Sequence, residues 1–399
     1  MSGERVVIVG ASLAGASAAV RLRGLGHEGA ITLLGAEPHL PYERPGLSKG
    51  YLTGSLPPDR LLVHPAETYD ELGVELRLGQ AASGIDLERR RVLLSGDDVE
   101  FDVLVLATGS SNLRPPIPGI DLPGVHQLRT LEDADALRAA AGRGGSAVIV
   151  GTGFIGCEVA ATLRGLGLDV TAVDGLPGPL WNVLGPDVSA IVRSWHEANG
   201  VRVLGDAPVD SFSGSGRVEQ VLLKDGRSLP ADLVVVGVGA RPALGWLDDV
   251  ALHRAAGGIG VDVDGRTSAP GVYAIGDMAA AWDAQAGEHH RVEHYSAAIA
   301  GADAAARAVL GREAPARKPP WFWSDQYDHT LHYTGSHRPD DETLLRADGS
   351  AAFFLRGPSL VAALTIDNGR DMRRAMPLLG KDIERHVLAE PGLDLRTVA

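Results

Sequence analysis

The sequence predicts an α/β protein containing two doubly wound βαβ units, closed by an α+β segment at its C-terminal end. Three observations predict this. A buried-strand pattern followed by a glycine loop and a helix occurs twice, about 140 residues apart. Three further apolar runs end in small-residue turns: Phe101–Gly109, Asp232–Gly239 and Gly271–Asp277. Beyond Trp321 the pattern changes to aromatic and alternating runs that read as antiparallel sheet.

In chain order, Val6–Val9 is β-branched and apolar, which suits a buried parallel strand. Gly10-Ala-Ser12-Leu13-Ala14-Gly15 follows, then an alanine-rich helix over Ala16–Leu25 and a second strand over Ala30–Leu34. The repeat runs from the strand Ala147–Val150 through Gly151-Thr-Gly153-Phe154-Ile155-Gly156, a helix to about Gly165, and the strand Val170–Val173. Proline-rich Arg114–Pro123 marks a crossing between domains, and Ala314–Pro320 a linker. The expected domains are 1–111 with 240–318, 112–239, and 319–399.

Composition narrows the class. Glycine supplies 51 of 399 residues, well above a usual share of roughly 7%, with no collagen-like period, so the excess points to tight turns and close backbone approaches. The single cysteine, Cys157, excludes a disulfide framework, a cysteine-rich zinc site and a CxxC redox pair; no metal site is expected. Net charge is −14, which argues against nucleic acid or an anionic membrane as partner. No apolar run approaches the ~18 residues of a membrane span, and the first residues enter a strand at once, so a cytoplasmic location is expected. Residues 305–399 hold 13 Lys+Arg and 13 Asp+Glu, so residues 1–304 carry the whole −14.

The glycine loops carry the chemistry. Glycines allow the turn to tighten and a pyrophosphate to approach the helix N-terminus, where amides and the dipole hold it. Gly151-x-Gly153-x-x-Gly156 has this form in full, and Asp174, 18 residues past Gly156, follows a strand as a ribose-binding acid should. No Lys or Arg lies in Gly175–Leu184 to attract a 2′-phosphate, so NADH is favoured over NADPH. Gly10-x-Ser12-x-x-Gly15 departs at its middle position, where small serine still admits a phosphate; Glu37 lies 22 residues past Gly15. Two such folds imply two dinucleotides used together. The turns Ala107-Thr108-Gly109 and Gly276-Asp277 suit FAD, with Asp277 on a ribityl hydroxyl; the lesser reading of Asp277 is a simple helix N-cap. A flavin and a nicotinamide together mean hydride transfer from NADH to FAD.

Here the chain resembles the FAD-dependent NADH:ferredoxin reductases of oxygenase electron-transfer systems, in the glutathione-reductase-like class. The carrying segments are Glu37–Lys49, Leu128–Ala134, Gly151–Glu158, Tyr273–Asp277 and Trp321–Gln326. The resemblance implies non-covalent FAD, NADH and a two-iron ferredoxin partner that supplies a cytochrome or Rieske oxygenase. It puts Lys49 near the reactive edge of the flavin, favouring the anionic reduced form. Arg44, Arg129, Ala82, Glu293, His294 and Tyr295 become further FAD contacts, and Gly239 a contact of the nicotinamide domain. Glu158 lies close to the nicotinamide and either holds its carboxamide or couples to Lys49; read bare, it is a first-turn helix acid favoured by the dipole. Lys49 and Glu158 are thus the expected catalytic residues.

Four positions depart from that family. Pro45-Gly46 replaces Pro-Pro, Ala36 replaces an acid, Tyr295 a tryptophan, and Asn182 an arginine. No cysteine stands beside the flavin segment Gly46–Lys49, so disulfide chemistry is not expected, and Cys157 reads as a small core residue. Trp321, Phe322 and Trp323 read either as interface core or as the flavin's outer edge. An acidic ferredoxin needs a local basic patch, for which Arg307, Arg312, Arg317, Lys318, Arg370, Arg373 and Arg374 are the candidates. The alternatives are an NADH oxidase or diaphorase, and an apoptosis-inducing-factor-like protein that binds nicotinamide to regulate association.

Overall fold

The computed structural model describes residues 3–284, 286–316, 318–392 and 394–398. The chain divides into two compact units. The first comprises 1–43, 58–111 and 240–320; the second comprises 44–57, 112–239 and 321–399. The phrase Glu37–Lys49 is therefore shared out, Glu37 to the first unit and Lys49 to the second.

The first unit is built on five parallel strands in the order Val272–Ala274, Val103–Leu106, Val6–Val9, Ile31–Leu34, Val74–Arg77. All four residues of Val6–Val9 are buried, as expected of a parallel strand covered on both faces. One face carries the helices Leu13–Gly24 and Tyr295–Val309. Alanines Ala14, Ala18, Ala298, Ala302 and Ala305 keep the two helices close against the sheet. The other face buries Val7, Val9, Leu104 and Leu106 against Val92 and Ile259 of small flanking sheets, Leu247 of the helical turn Gly245–Leu247, and Phe101.

The second unit repeats the plan, with parallel order Arg202–Leu204, Asp169–Val173, Ser146–Val150, Leu233–Val236, Val125–His126. It also holds an antiparallel sheet in the order Trp321–Gln326, His329–Gly335, Ser359–Ile366, Ala351–Arg356, Glu342–Leu345. The strand Ala351–Arg356 lies in antiparallel sheet, as expected beyond Trp321, but exposure does not alternate along it: Ala351–Leu355 are all buried. Ala352 and Phe354 face Leu184, Val188 and Val192 of the helix Trp181–Ala198. Ala351, Phe353 and Leu355 face Ala375, Leu378 and Leu388. This strand is an interior one and covered on both faces, so a polar face would be left without water. The helix Trp181–Ala198 breaks at Gly185, whose φ is +78°, just before Pro186. Among the described residues no helix is long and apolar enough to cross a membrane.

Candidate dinucleotide cradles and a buried ion pair

In the first unit, two glycines set the loop. A Cβ on Gly10 (φ +119°) would lie 2.2 Å from the Ala107 carbonyl oxygen, and one on Gly15 would lie 2.0 Å from the Gly10 carbonyl oxygen. The helix Leu13–Gly24 starts at extended Ser12, with no side-chain cap and no acid in its first turn. Its positive end and free amides therefore suit an anion. The second turn lies against this loop: a Cβ on Gly276 (φ +70°) would sit 3.1 Å from the Ala14 Cβ. Asp277 follows in the short helical turn Gly276–Met278. Gly109 has φ +66°, while Thr108 donates to the Ala243 carbonyl at 3.0 Å and to Met278 Sδ through its amide at 3.2 Å. Ala107, Thr108, Gly109, Gly276, Asp277 and the Ser12–Gly15 loop are thus brought to one end of the sheet.

Glu37 stands past the strand Ile31–Leu34 and accepts from the Tyr42 hydroxyl. Ala82 opens the strand Ala82–Asp86. The helix Tyr295–Val309 begins at His294, again without a side-chain cap or a first-turn acid. Burial pushes His294 down to about 4, against the pull of Asp277. The Tyr295 hydroxyl donates to Glu43 Oε1 at 2.6 Å, a partner that no motif singles out. Glu293 pairs with Arg291, which also donates to the Asp277 carbonyl. The residues present fit a dinucleotide: two uncapped helix starts, glycines where only glycine fits, and an acid past the second strand.

The second unit holds the other cradle. Gly151 (φ +94°) and Gly156 admit no Cβ, which would lie 2.5 Å from the Gly237 oxygen and 2.0 Å from the Gly151 oxygen respectively. Gly153 faces open space and precedes the helix Phe154–Gly165, which has no side-chain cap. Phe154 is half-buried and Ile155 is exposed. Gly239 has φ +109° and accepts from the Leu113 amide. Asp174 lies past its strand, and its carboxylate is already engaged. Oδ2 accepts from the Thr152 amide at 2.6 Å and hydroxyl at 2.7 Å, and Oδ1 from the Leu176 amide at 3.0 Å. Two carboxylate oxygens offer about four acceptor sites, so one remains for a ribose hydroxyl. Thr152 is the hub that sequence reasoning missed: it also accepts from the Leu180 amide and the Cys157 thiol. Cys157 is buried and its thiol is pushed up by desolvation, consistent with an inert core residue.

Arg44 and Arg129 both fall in the second unit, where Arg44 Nη1 donates to the Arg129 carbonyl at 2.5 Å. The Arg129 amide donates to Asp133, which also completes the capping box of the helix Leu131–Ala141. Lys49 and Glu158 form an ion pair. Lys49 Nζ lies 3.1 Å from Glu158 Oε1 and 3.3 Å from Asp325 Oδ2. Glu158 is only 4% exposed. Its Oε2 accepts from the Ser48 hydroxyl at 2.5 Å and its Oε1 from the Ser324 hydroxyl at 2.8 Å. Burial pushes this carboxyl above its usual range, and Lys49, Ser48 and Ser324 pull it back. Lys49 also lies 5.7 Å from the Trp323 ring centroid, while Phe322 stacks on Tyr333 and meets Phe154 edge-on. Ser48 lies within Glu37–Lys49, and Ser324 and Asp325 within Trp321–Gln326, but nothing in their spacing marked them as partners of Glu158.

The candidate basic patch is only partly available. Arg370 and Arg373 are exposed on the helix Gly369–Ala375, but Arg374 turns to Asp371 and Asp394. Arg307 pairs with Asp303; Arg312 and Lys318 are exposed; Arg317 lies outside the described residues.

Two dinucleotide folds with a cradle apiece define an oxidoreductase of the two-cofactor kind. The chain belongs to the pyridine nucleotide-disulphide oxidoreductase family, whose pattern matches residues 4–302, and a reductase C-terminal domain matches 321–399. It is 39% identical to the biphenyl dioxygenase system ferredoxin–NAD(+) reductase component of Paraburkholderia xenovorans (strain LB400), over 98% of each chain. It is 35% identical to the rhodocoxin reductase of Rhodococcus erythropolis, over 95% of this chain and 90% of that one. The solved covalent putidaredoxin reductase–putidaredoxin complex superposes with a TM-score of 0.94 at 31% identity, covering 98% of this chain and 97% of that one.

Proposed function

We infer that this chain is an FAD-dependent ferredoxin–NAD(+) reductase, passing electrons from NADH to a two-iron ferredoxin that supplies a cytochrome or Rieske oxygenase. The observation that carries the reading is the coexistence of two glycine cradles in one chain with Lys49 paired to Glu158, which stands on the helix of the second. The names of its relatives support the same reading, since reductase components of oxygenase systems recur among them. FAD, when bound, accepts a hydride from NADH and releases the two electrons singly.

The chain's own residues bind, orient and hold charge. The first-turn amides of Leu13, Ala14 and Gly15 take the FAD pyrophosphate, Glu37 an adenosine ribose hydroxyl and Asp277 a ribityl hydroxyl. Ala82, Arg44, Arg129 and the Glu293–Tyr295 segment complete that set. Gly151, Gly153 and Gly156 take the NADH pyrophosphate, and Asp174 gives its remaining acceptor site to the ribose. Lys49 supplies positive charge for the reduced flavin, and Glu158 anchors Lys49. FAD is read as non-covalent, since no cysteine or histidine stands in Gly10–Gly15 or Gly276–Asp277. The domains are read as 1–111 with 240–318 for FAD, 112–239 for NADH, and 319–399 at the C-terminal end. The compartment is read as the cytoplasm, where NADH is supplied.

Purified protein should release free FAD on acid treatment. Under anaerobic conditions it should reduce a two-iron ferredoxin with NADH. Rapid oxygen consumption unaffected by ferredoxin would instead make it an NADH oxidase. Tight NADH binding with ferredoxin left oxidised would make it a regulatory nicotinamide-binding protein.

A further inference from the structure

A line of side chains with no role in cofactor binding runs to Glu158. The Tyr327 hydroxyl lies 2.9 Å from His196 Nδ1, and the two rings meet edge-on. His196 Nε2 lies 3.1 Å from Gln326 Oε1. Gln326 Nε2 lies 3.3 Å from Ser324 Oγ, which in turn lies 2.8 Å from Glu158 Oε1. His196, Gln326 and Ser324 are at most 1% exposed, so water does not compete for these bonds.

The groups themselves fix the direction of the line. A carboxylate only accepts, so Ser324 must donate to Glu158. The Ser324 oxygen is then left to accept, which turns the amide nitrogen of Gln326 toward it. The Gln326 carbonyl oxygen therefore faces His196, and Nε2 of the imidazole must carry the proton. The Nδ1 of a neutral imidazole is bare and accepts from Tyr327. Burial pushes His196 down to about 4, so the neutral ring persists through neutral pH.

The backbone supports the same arrangement. Tyr327 has φ +56° at the first position of the two-residue turn joining Trp321–Gln326 to His329–Gly335. Glycine is favoured there and a bulky residue is rare. Trp195 stacks on His329 with ring centroids 4.4 Å apart, so neighbouring residues Trp195 and His196 hold both ends of the turn.

We propose that Tyr327, His196, Gln326 and Ser324 form a hydrogen-bond chain of fixed direction that orients the Glu158 carboxylate toward Lys49, with His196 and Gln326 as positioning residues for that pair. The chain polarises; it does not conduct protons, because the Gln326 amide interrupts any relay. The titratable and charged groups around it are Lys49 and, across Lys49, Asp325; Cys157 beside Glu158; and Arg164, which acts on Tyr327. The reactive role of Glu158 rests on the proposed function; the chain does not.

The test uses holoprotein carrying 15N-histidine and 13C-carboxyl-glutamate labels, read by NMR. His196 should show a protonated Nε2 and a bare Nδ1 from pH 5 to 8. Ser324→Ala should raise the Glu158 midpoint by about one pH unit and Gln326→Met by roughly half a unit, while Ser324→Thr, which keeps the hydroxyl, restores it. The acid limb of kcat/KM for NADH should move by the same amounts. A protonated Nδ1, a His196 that titrates near its ordinary value, or a Glu158 midpoint unmoved by both substitutions overturns the chain. If either variant fails to fold, the His196 tautomer in the parent protein decides alone. A midpoint that moves while the kcat/KM profile stays still upholds the chain and removes Glu158 from the reaction.

Discussion

At the scale of single residues, Asp174 and Gly15 have roles with measurable consequences. Asp174 spends three acceptor sites on Thr152 and Leu176 and keeps one for ribose. Its charge repels a 2′-phosphate, and one charge-assisted hydrogen bond is worth about 1.5–3 kcal/mol. NADH should therefore be preferred over NADPH by roughly ten-fold or more in kcat/KM. Asp174→Asn keeps the shape and drops the charge, so steady-state kinetics with both cofactors should show that gap narrowing; an unchanged ratio would remove Asp174 from selectivity. Gly15→Ala places a methyl group 2.0 Å from the Gly10 carbonyl oxygen. Backbone cannot yield there without opening the loop, so the variant should purify with less than about a tenth of the parental FAD, read from the visible absorbance. Full FAD content would show that the loop does not hold the flavin. Both glycine loops were legible in the sequence because glycine spacing is itself the geometric requirement. Thr152 was not, because a threonine between two glycines carries no signal until its partner Asp174 is seen across the loop.

At the scale of elements, the helix Trp181–Ala198 packs its apolar face on the antiparallel sheet and buries His196 at its end. The His196 value of about 4 lies below the ordinary 6.5. The unfolded chain therefore binds this proton first. The stability it contributes is complete above pH 6.5 and drains as pH falls toward 4, by about 3 kcal/mol in all. Glu158 works in the opposite sense: its raised value favours the neutral form, so its contribution is held at low pH and lost as pH rises through the folded value. Comparing parent with His196→Gln isolates the histidine. Urea unfolding between pH 7 and pH 5 should cost the parent about 2 kcal/mol more than the variant. Equal losses would show that His196 charges in the folded protein. Periodicity located the strands Val6–Val9 and Ser146–Val150 and their helices well. It placed Ala351–Leu355 in antiparallel sheet, as found, but missed the burial of both faces, because a strand covered twice loses the alternation that marks a half-buried one.

At the scale of the whole molecule, the proposed function turns on charge. The chain carries −14, so docking the acidic ferredoxin of that proposal requires a local basic patch. Of the candidate cations, Arg370 and Arg373 stay exposed on one short helix, while Arg374 and Arg307 are neutralised by neighbouring aspartates. Raising salt from low to about 0.5 M, where the Debye length falls below about 5 Å, should slow ferredoxin reduction several-fold. Transfer to a neutral dye should change far less. Replacing Arg370 and Arg373 together by Glu should reproduce the salt effect at low salt, measured as the initial rate of ferredoxin reduction. A double variant that works at the parental rate moves the docking face elsewhere.

The sequence by itself determined what depends on local order: the strand–glycine–helix units, the acids past the second strands, and the lone cysteine that rules out a dithiol mechanism. These follow from the steric needs of a turn and from the period of a strand, both written within a few residues. Only the tertiary structure decided which side chains meet across distant segments. Lys49 reaches Glu158 and Asp325, and Tyr327 reaches His196, over separations of more than a hundred residues. Nothing near Gln326 or His196 in the chain announces a partner. Their pairing follows from burial, because polar atoms carried out of water by packed strands and helices must find one another.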